Sequence, residues 1–126
     1  MREKILAHKK GMTILACAFL IFLGCFAFPV YNFSQDAPDI SRGSSIVIAL
    51  LGYSEIGLLH GMLYRSKLKS AALTFGLTLV GFLCRFLLEY GEVSNTYNFT
   101  SMNVAVHLAV VLGIVLLADS AAKEID

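Results

Sequence analysis

Apolar positions along this chain run together rather than alternate. Four runs, at 11–35, 44–64, 70–91 and 93–118, carry little or no charge. Each is long enough to cross a bilayer as a helix, which takes about 20 apolar residues. The runs lack the period of two that marks a half-buried strand, and four strands could not close a barrel, so a membrane β-barrel is excluded. The elements predicted are four helices at about 11–31, 44–64, 70–91 and 102–118. Pro29 falls near the end of the first, where a missing hydrogen bond costs least. Asn32 to Gly43 reads as a loop through its Asp36, Pro38 and Asp39. Arg65 to Lys69 is a tight turn, and Glu92 to Ser101 a second loop. Tyr31, Tyr64, Tyr90 and Tyr97 fall near span ends, as an aromatic belt at two interfaces requires.

Composition supports this pattern. Hydrophobic residues make up 57% of the 126 and charged residues 15%, against about 25% charged in soluble domains. The length suits one compact bundle, a single membrane domain over 1–126. The net charge of +1 conceals an asymmetry. Arg2, Lys4, Lys9, Lys10, Arg65, Lys67, Lys69 and Lys123 flank one side of the spans, and Arg42 alone stands on the other, beside Asp36, Asp39 and Glu92. By the positive-inside rule both termini are expected in the cytoplasm. The expected fold is an all-α integral membrane protein. It is an antiparallel four-transmembrane-helix bundle, N-in and C-in, in which helices joined by short loops pack directly. The expected location is a bacterial inner (plasma) membrane. The basic start followed by an apolar run also fits a signal peptide, but the run is long for one and is taken as a true span. The basic residues are read as topology determinants, with anionic headgroups as a secondary contact of 65–69, and not as a nucleic-acid surface.

Cys17, Cys25 and Cys84 all lie within apolar runs and read as small buried hydrophobes. No metal-ligand spacing, phosphate loop, nucleophile elbow or thiol pair occurs. No metal or cofactor is therefore expected, and a catalytic role is disfavoured. Tyr31-Asn32-Phe33-Ser34 and Tyr97-Asn98-Phe99-Thr100 echo each other. The offset between them does not superpose the spans, so a duplicated hairpin is not inferred. Both are Asn-x-Ser/Thr acceptors, but they hug the membrane and no glycan is expected on either.

The polar residues kept within the apolar runs carry the functional question, because an ionisable group in a bilayer is costly. Span 2 carries Glu55 near its middle and His60 further along. Span 3 carries Arg85 and Glu89, and span 4 carries Asn103 and His107. Helical spacing puts Thr74, Thr78, Gly81, Arg85 and Glu89 on one face of span 3, and Thr100, Asn103 and His107 on one face of span 4. By depth, Glu55, Arg85, Glu89, Asn103 and His107 are expected to converge as a substrate- or ion-binding pocket in the outer half of the bundle. The structural reading of the same residues is that Arg85 and Glu89 pair on their own helix, and that Asn103 and His107 are hydrogen-bonding glue between helices. Gly57 and Gly61 form a Gly-x-x-x-Gly close-packing motif. With His60 beside them they are expected at a helix-packing interface, within the monomer by default and between copies as the alternative.

Two functions fit these residues best; a third, an intramembrane enzyme acting on a lipid at the outer leaflet through Glu55, Arg85, Glu89 and His107, has no spacing motif behind it. One is a transport or ligand-binding unit with Glu55 as the cation- or proton-responsive carboxylate. The other is a non-catalytic accessory, assembly or immunity-type subunit that docks its spans onto a larger membrane complex. The partners expected are the lipid bilayer and either further copies of the chain or the subunits of that complex.

Overall fold

The computed structural model describes residues 2–28 and 39–125, with the side chains of 39–45, 94, 97 and 125 left aside. Pro29, Tyr31, the tetrapeptide at 31–34, Asp36, Pro38 and the side chains of Asp39, Arg42 and Tyr97 lie outside the described residues. Among the described residues six helices form: α1 (Arg2–Ala7), α2 (Lys9–Phe26), α3 (Asp39–Leu63), α4 (Lys67–Leu88), α5 (Val93–Asn98) and α6 (Ser101–Ile125). Four of them, α2, α4, α6 and the 46–63 portion of α3, are long and apolar enough to cross a membrane.

Local chemistry sets several helix ends. Ser66 caps α4, its hydroxyl accepting from the Lys69 amide at 3.3 Å. Thr100 does the same for α6, accepting from the Asn103 amide at 3.1 Å. Such caps satisfy one of the orphan donors at a helix start and stabilise it by about 1 kcal/mol. The chain leaves α4 through Gly91, at φ +82°, a conformation that glycine adopts without steric cost. Two elements exceed the expected four spans. The first, α1, runs almost directly into α2 at His8. The second, α5, sits within the second loop. In addition, α6 continues past Ala118 to Ile125.

The helix pairing departs from the expected packing of neighbours. Although a short turn joins them, α3 and α4 barely touch. The closest pairs are instead α3 with α6 and α2 with α4. Each of these pairs runs parallel: Gly57 and Gly61 of α3 meet Val115 and Asp119 of α6 in the same order, and Gly81 and Arg85 of α4 meet Ile21 and Cys25 of α2 in the same order. Glycines explain the choice. A Cβ on Gly61 would lie 2.6 Å from the Asp119 carbonyl oxygen, and one on Gly57 would collide with the Val115 carbonyl and the Ala118 methyl. Between α2 and α4, a Cβ on Gly81 would stand 2.6 Å from the Ile21 oxygen and 2.7 Å from the Gly24 Cα. Removing the side chain lets two backbones approach, so dispersion contacts and Cα–H···O contacts accumulate where larger residues would hold the helices apart. The two tight pairs then close on a core of Leu20 and Leu23 from α2, Tyr53 and Ile56 from α3, and Val111 and Val115 from α6.

The bundle has two distinguishable ends. At the basic end lie α1, the 64–66 turn and the C-terminus of α6. At the opposite end lie the close of α2, the α4–α6 connection with α5, and the start of α6.

Candidate functional site

Arg85 and Glu89 sit together at the opposite end, on α4 and at its C-cap. Arg85 Nη2 stands 3.2 Å from Glu89 Oε1. Arg85 Nη1 also donates to the backbone oxygen of Cys25 at 2.9 Å. That carbonyl has a reason to need a donor. In a continuing helix its partner would be the amide four residues on, but residue 29 is proline and has no N–H. Helix ends leave carbonyls unmatched, and a cation is favoured there by the helix dipole. Asn95 of α5 performs the equivalent task for α4. Its amide nitrogen donates to the carbonyls of Phe86 at 3.0 Å and Glu89 at 2.9 Å.

His107 and Asn103 lie one turn apart on α6, both buried. His107 is ringed by aromatic side chains from three other segments. Its ring centroid lies 5.1 Å from Phe28 and Phe82 and 6.3 Å from Tyr53, all edge-on. Phe99 extends the cluster, 4.9 Å from Phe28 and 5.4 Å from Phe86. The centre of the bundle near this end is therefore packed aromatic matter. A shallow groove of about 480 Å³ lies beside α5, lined in part by Phe86, Tyr90, Glu92 and Phe99. None of Glu55, Arg85, Glu89, Asn103 or His107 lines it.

A second polar cluster occupies the basic end. His60 is buried, and its Nδ1 lies 2.8 Å from the Ser70 hydroxyl on α4. Next to it, Gly61 rests on the carbonyl of Asp119. The Asp119 side chain is fully buried and pairs with Lys123 Nζ at 2.7 Å, one turn on. Arg2 Nε donates to the Met62 carbonyl at 3.3 Å, covering the end of α3. Asp119 escapes a reading that ends span 4 at Ala118. The four-residue recurrence of Asn103, His107, Val111 and Val115 leads directly to it and is the signal that finds it.

Glu55 stands apart from both clusters. Its side chain is exposed on the outer surface of α3, and it makes no hydrogen bond or ion pair to any described residue. The expected convergence of Glu55 with Arg85 and His107 therefore does not occur. Span 2 is apolar nearly all round, so periodicity alone does not say which side faces the other helices. Packing decides it: Gly52, Ile56 and Gly57 turn inward, which sends Glu55 outward. Around it lie Val47, Ile48, Leu51 and Leu58, all exposed, Leu51 at 64%. Away from helix ends, Glu55 is the one exposed charged side chain of the four long helices among the described residues.

No described cluster of three His, Cys, Asp or Glu side chains is disposed to hold a metal ion. Cys17, Cys25 and Cys84 are free thiols. Compared with protein families, with characterised proteins and with solved structures, the chain matches none.

Proposed function

We propose that this chain is an integral membrane protein whose four long helices cross the bilayer with both termini in the cytoplasm, and that it serves as a non-catalytic accessory or assembly subunit docking onto a larger membrane complex through the Glu55 face of α3. The orientation rests on the eight basic residues that gather at one end and the acidic balance at the other. The docking role rests on one observation, the solitary exposure of Glu55. Within the 46–63 span, Glu55 lies about 13 Å along the helix from Ile46 and about 12 Å from Leu63. Its short side chain reaches neither headgroup region from there. A charge facing hydrocarbon costs several kcal/mol, by scales that disagree on how many, so this position calls for a polar group supplied from outside the chain.

A transport site is less well supported. It calls for Glu55, Arg85 and His107 around one cavity, whereas Glu55 is outside the bundle, His107 is packed among rings, and Arg85 is committed to Glu89 and Cys25. The polar residues inside the bundle act as mortar for helix ends and crossings.

Photocrosslinking in native membranes tests the role. A photoreactive residue at Leu51 or Leu58 of α3 should give one discrete adduct with another polypeptide, while the same group at Leu83 or Leu87 of α4 should give lipid adducts only. Lipid adducts alone from all four positions would remove the basis for docking by α3.

A further inference from the structure

Resting on the docking reading, we infer that the occupant of the Glu55 face is a transmembrane helix of a different polypeptide, carrying a lysine or arginine near the middle of its span. Three observations combine.

The first is the composition of the face. Exposed Val47, Ile48, Leu51 and Leu58 surround Glu55 over about three helical turns. This surface accepts an apolar helix along its length and asks for a polar contact at one point. A soluble partner would meet an apolar wall on either side of the carboxylate, so the matching element is itself a span.

The second is charge complementarity. A carboxylate in a low-dielectric setting is stabilised most by a cation within a few ångströms. A second copy of this chain has none to offer at that depth among the described residues. Arg85 is near the opposite end of the bundle and is held by Cys25 and Glu89. Lys123 is at the basic end and is held by Asp119. The remaining lysines and arginines whose side chains are described lie at the basic end. A two-fold pair through α3 would set one Glu55 against another, and like charges at close range oppose association.

The third is contrast with the chain's other exposed faces. Exposed α4 residues Phe75, Leu79, Val80, Leu83 and Leu87 form a continuous apolar surface without a charge. That is what lipid alone selects. Among the described residues the single charged departure from it away from helix ends, at mid-span of α3, marks the partner side.

The test uses the full-length protein in phosphatidylcholine vesicles with a synthetic Leu/Ala transmembrane peptide as the probe. One form of the peptide carries Lys at its centre and the other Leu. Energy transfer between labels on protein and peptide reads association. The Lys peptide should bind about tenfold more tightly than the Leu peptide, a difference of about 1.4 kcal/mol, and Glu55→Gln should abolish that preference while helicity is unchanged. Equal binding of the two peptides, or a preference that survives Glu55→Gln, overturns the inference. So does efficient disulfide dimerisation of a Glu55→Cys variant in native membranes, which would make the occupant a second copy. Failure of the underlying docking reading looks different: native membranes would then yield the chain without any foreign subunit, whatever the peptides do.

Discussion

The guanidinium of Arg85 donates to the carbonyl oxygen of Cys25 across the α2–α4 crossing, at 2.9 Å. The contact joins a charge that is expensive in an apolar setting to a backbone acceptor that Pro29 leaves without an amide. Neither group is well placed without the other. An unmatched carbonyl away from water costs free energy, so the pair gives an arginine within an apolar helix a structural reason.

Arg85→Leu should therefore lower stability by about 1.5–3 kcal/mol, the usual range for a charged hydrogen bond. Glu89→Gln should cost under about 1 kcal/mol, since a partly exposed pair on one helix contributes little. Pro29→Ala supplies an amide and should reduce the cost of Arg85→Leu. Denaturant unfolding in detergent of the two single variants and the double variant checks this, and strict additivity would show that the Cys25 carbonyl is not what Arg85 serves.

Glycine substitutions should divide sharply by position. Gly57→Leu and Gly61→Leu place side chains into the α6 backbone and should prevent the α3–α6 crossing from closing. A Cβ on Gly76 or Gly113 meets nothing within 4 Å, so Gly76→Leu and Gly113→Leu should be tolerated. Overpacking in a tight core costs about 1–3 kcal/mol and more when the obstacle is backbone. Thermal stability and protease resistance of the four purified variants provide the comparison.

The Asp119–Lys123 pair predicts asymmetric damage. Lys123→Met leaves a fully buried carboxyl without its cation and should destabilise by about 3 kcal/mol, the low end of the range for breaking a buried pair. Adding Asp119→Leu should recover much of that loss, because an apolar pair of similar size is often as stable as the ions it replaces. Unfolding of the single and double variants decides it, and a double variant worse than Lys123→Met would count against the pairing.

The sequence reveals the long helices well and the site less well, for one physical reason. Hydrophobic runs report length and limits, and α4 lies within three residues of the run that predicts it. They do not report facing, because the exposed side of these helices is as apolar as the core. Helical spacing sets Ile48, Gly52, Glu55, Leu59 and Met62 on one side of α3, yet Gly52 packs on Leu23 while Glu55 and Ile48 are exposed. Charge likewise ends an apparent span at Ala118, although Lys123 neutralises Asp119 and α6 continues. The capping roles of Arg85 and Asn95 depend on backbone groups of other segments, which side-chain periodicity does not register. Gly57 and Gly61 are legible because close packing of a small residue is itself local.

The most direct measurement is the mass of the intact assembly released gently from native membranes, for the wild type and for Glu55→Leu. Docking through α3 predicts a stoichiometric second polypeptide with the wild type, and its loss from Glu55→Leu while the variant chain remains folded and inserted. A lone chain, a homo-oligomer, or an identical assembly for both proteins would contradict it.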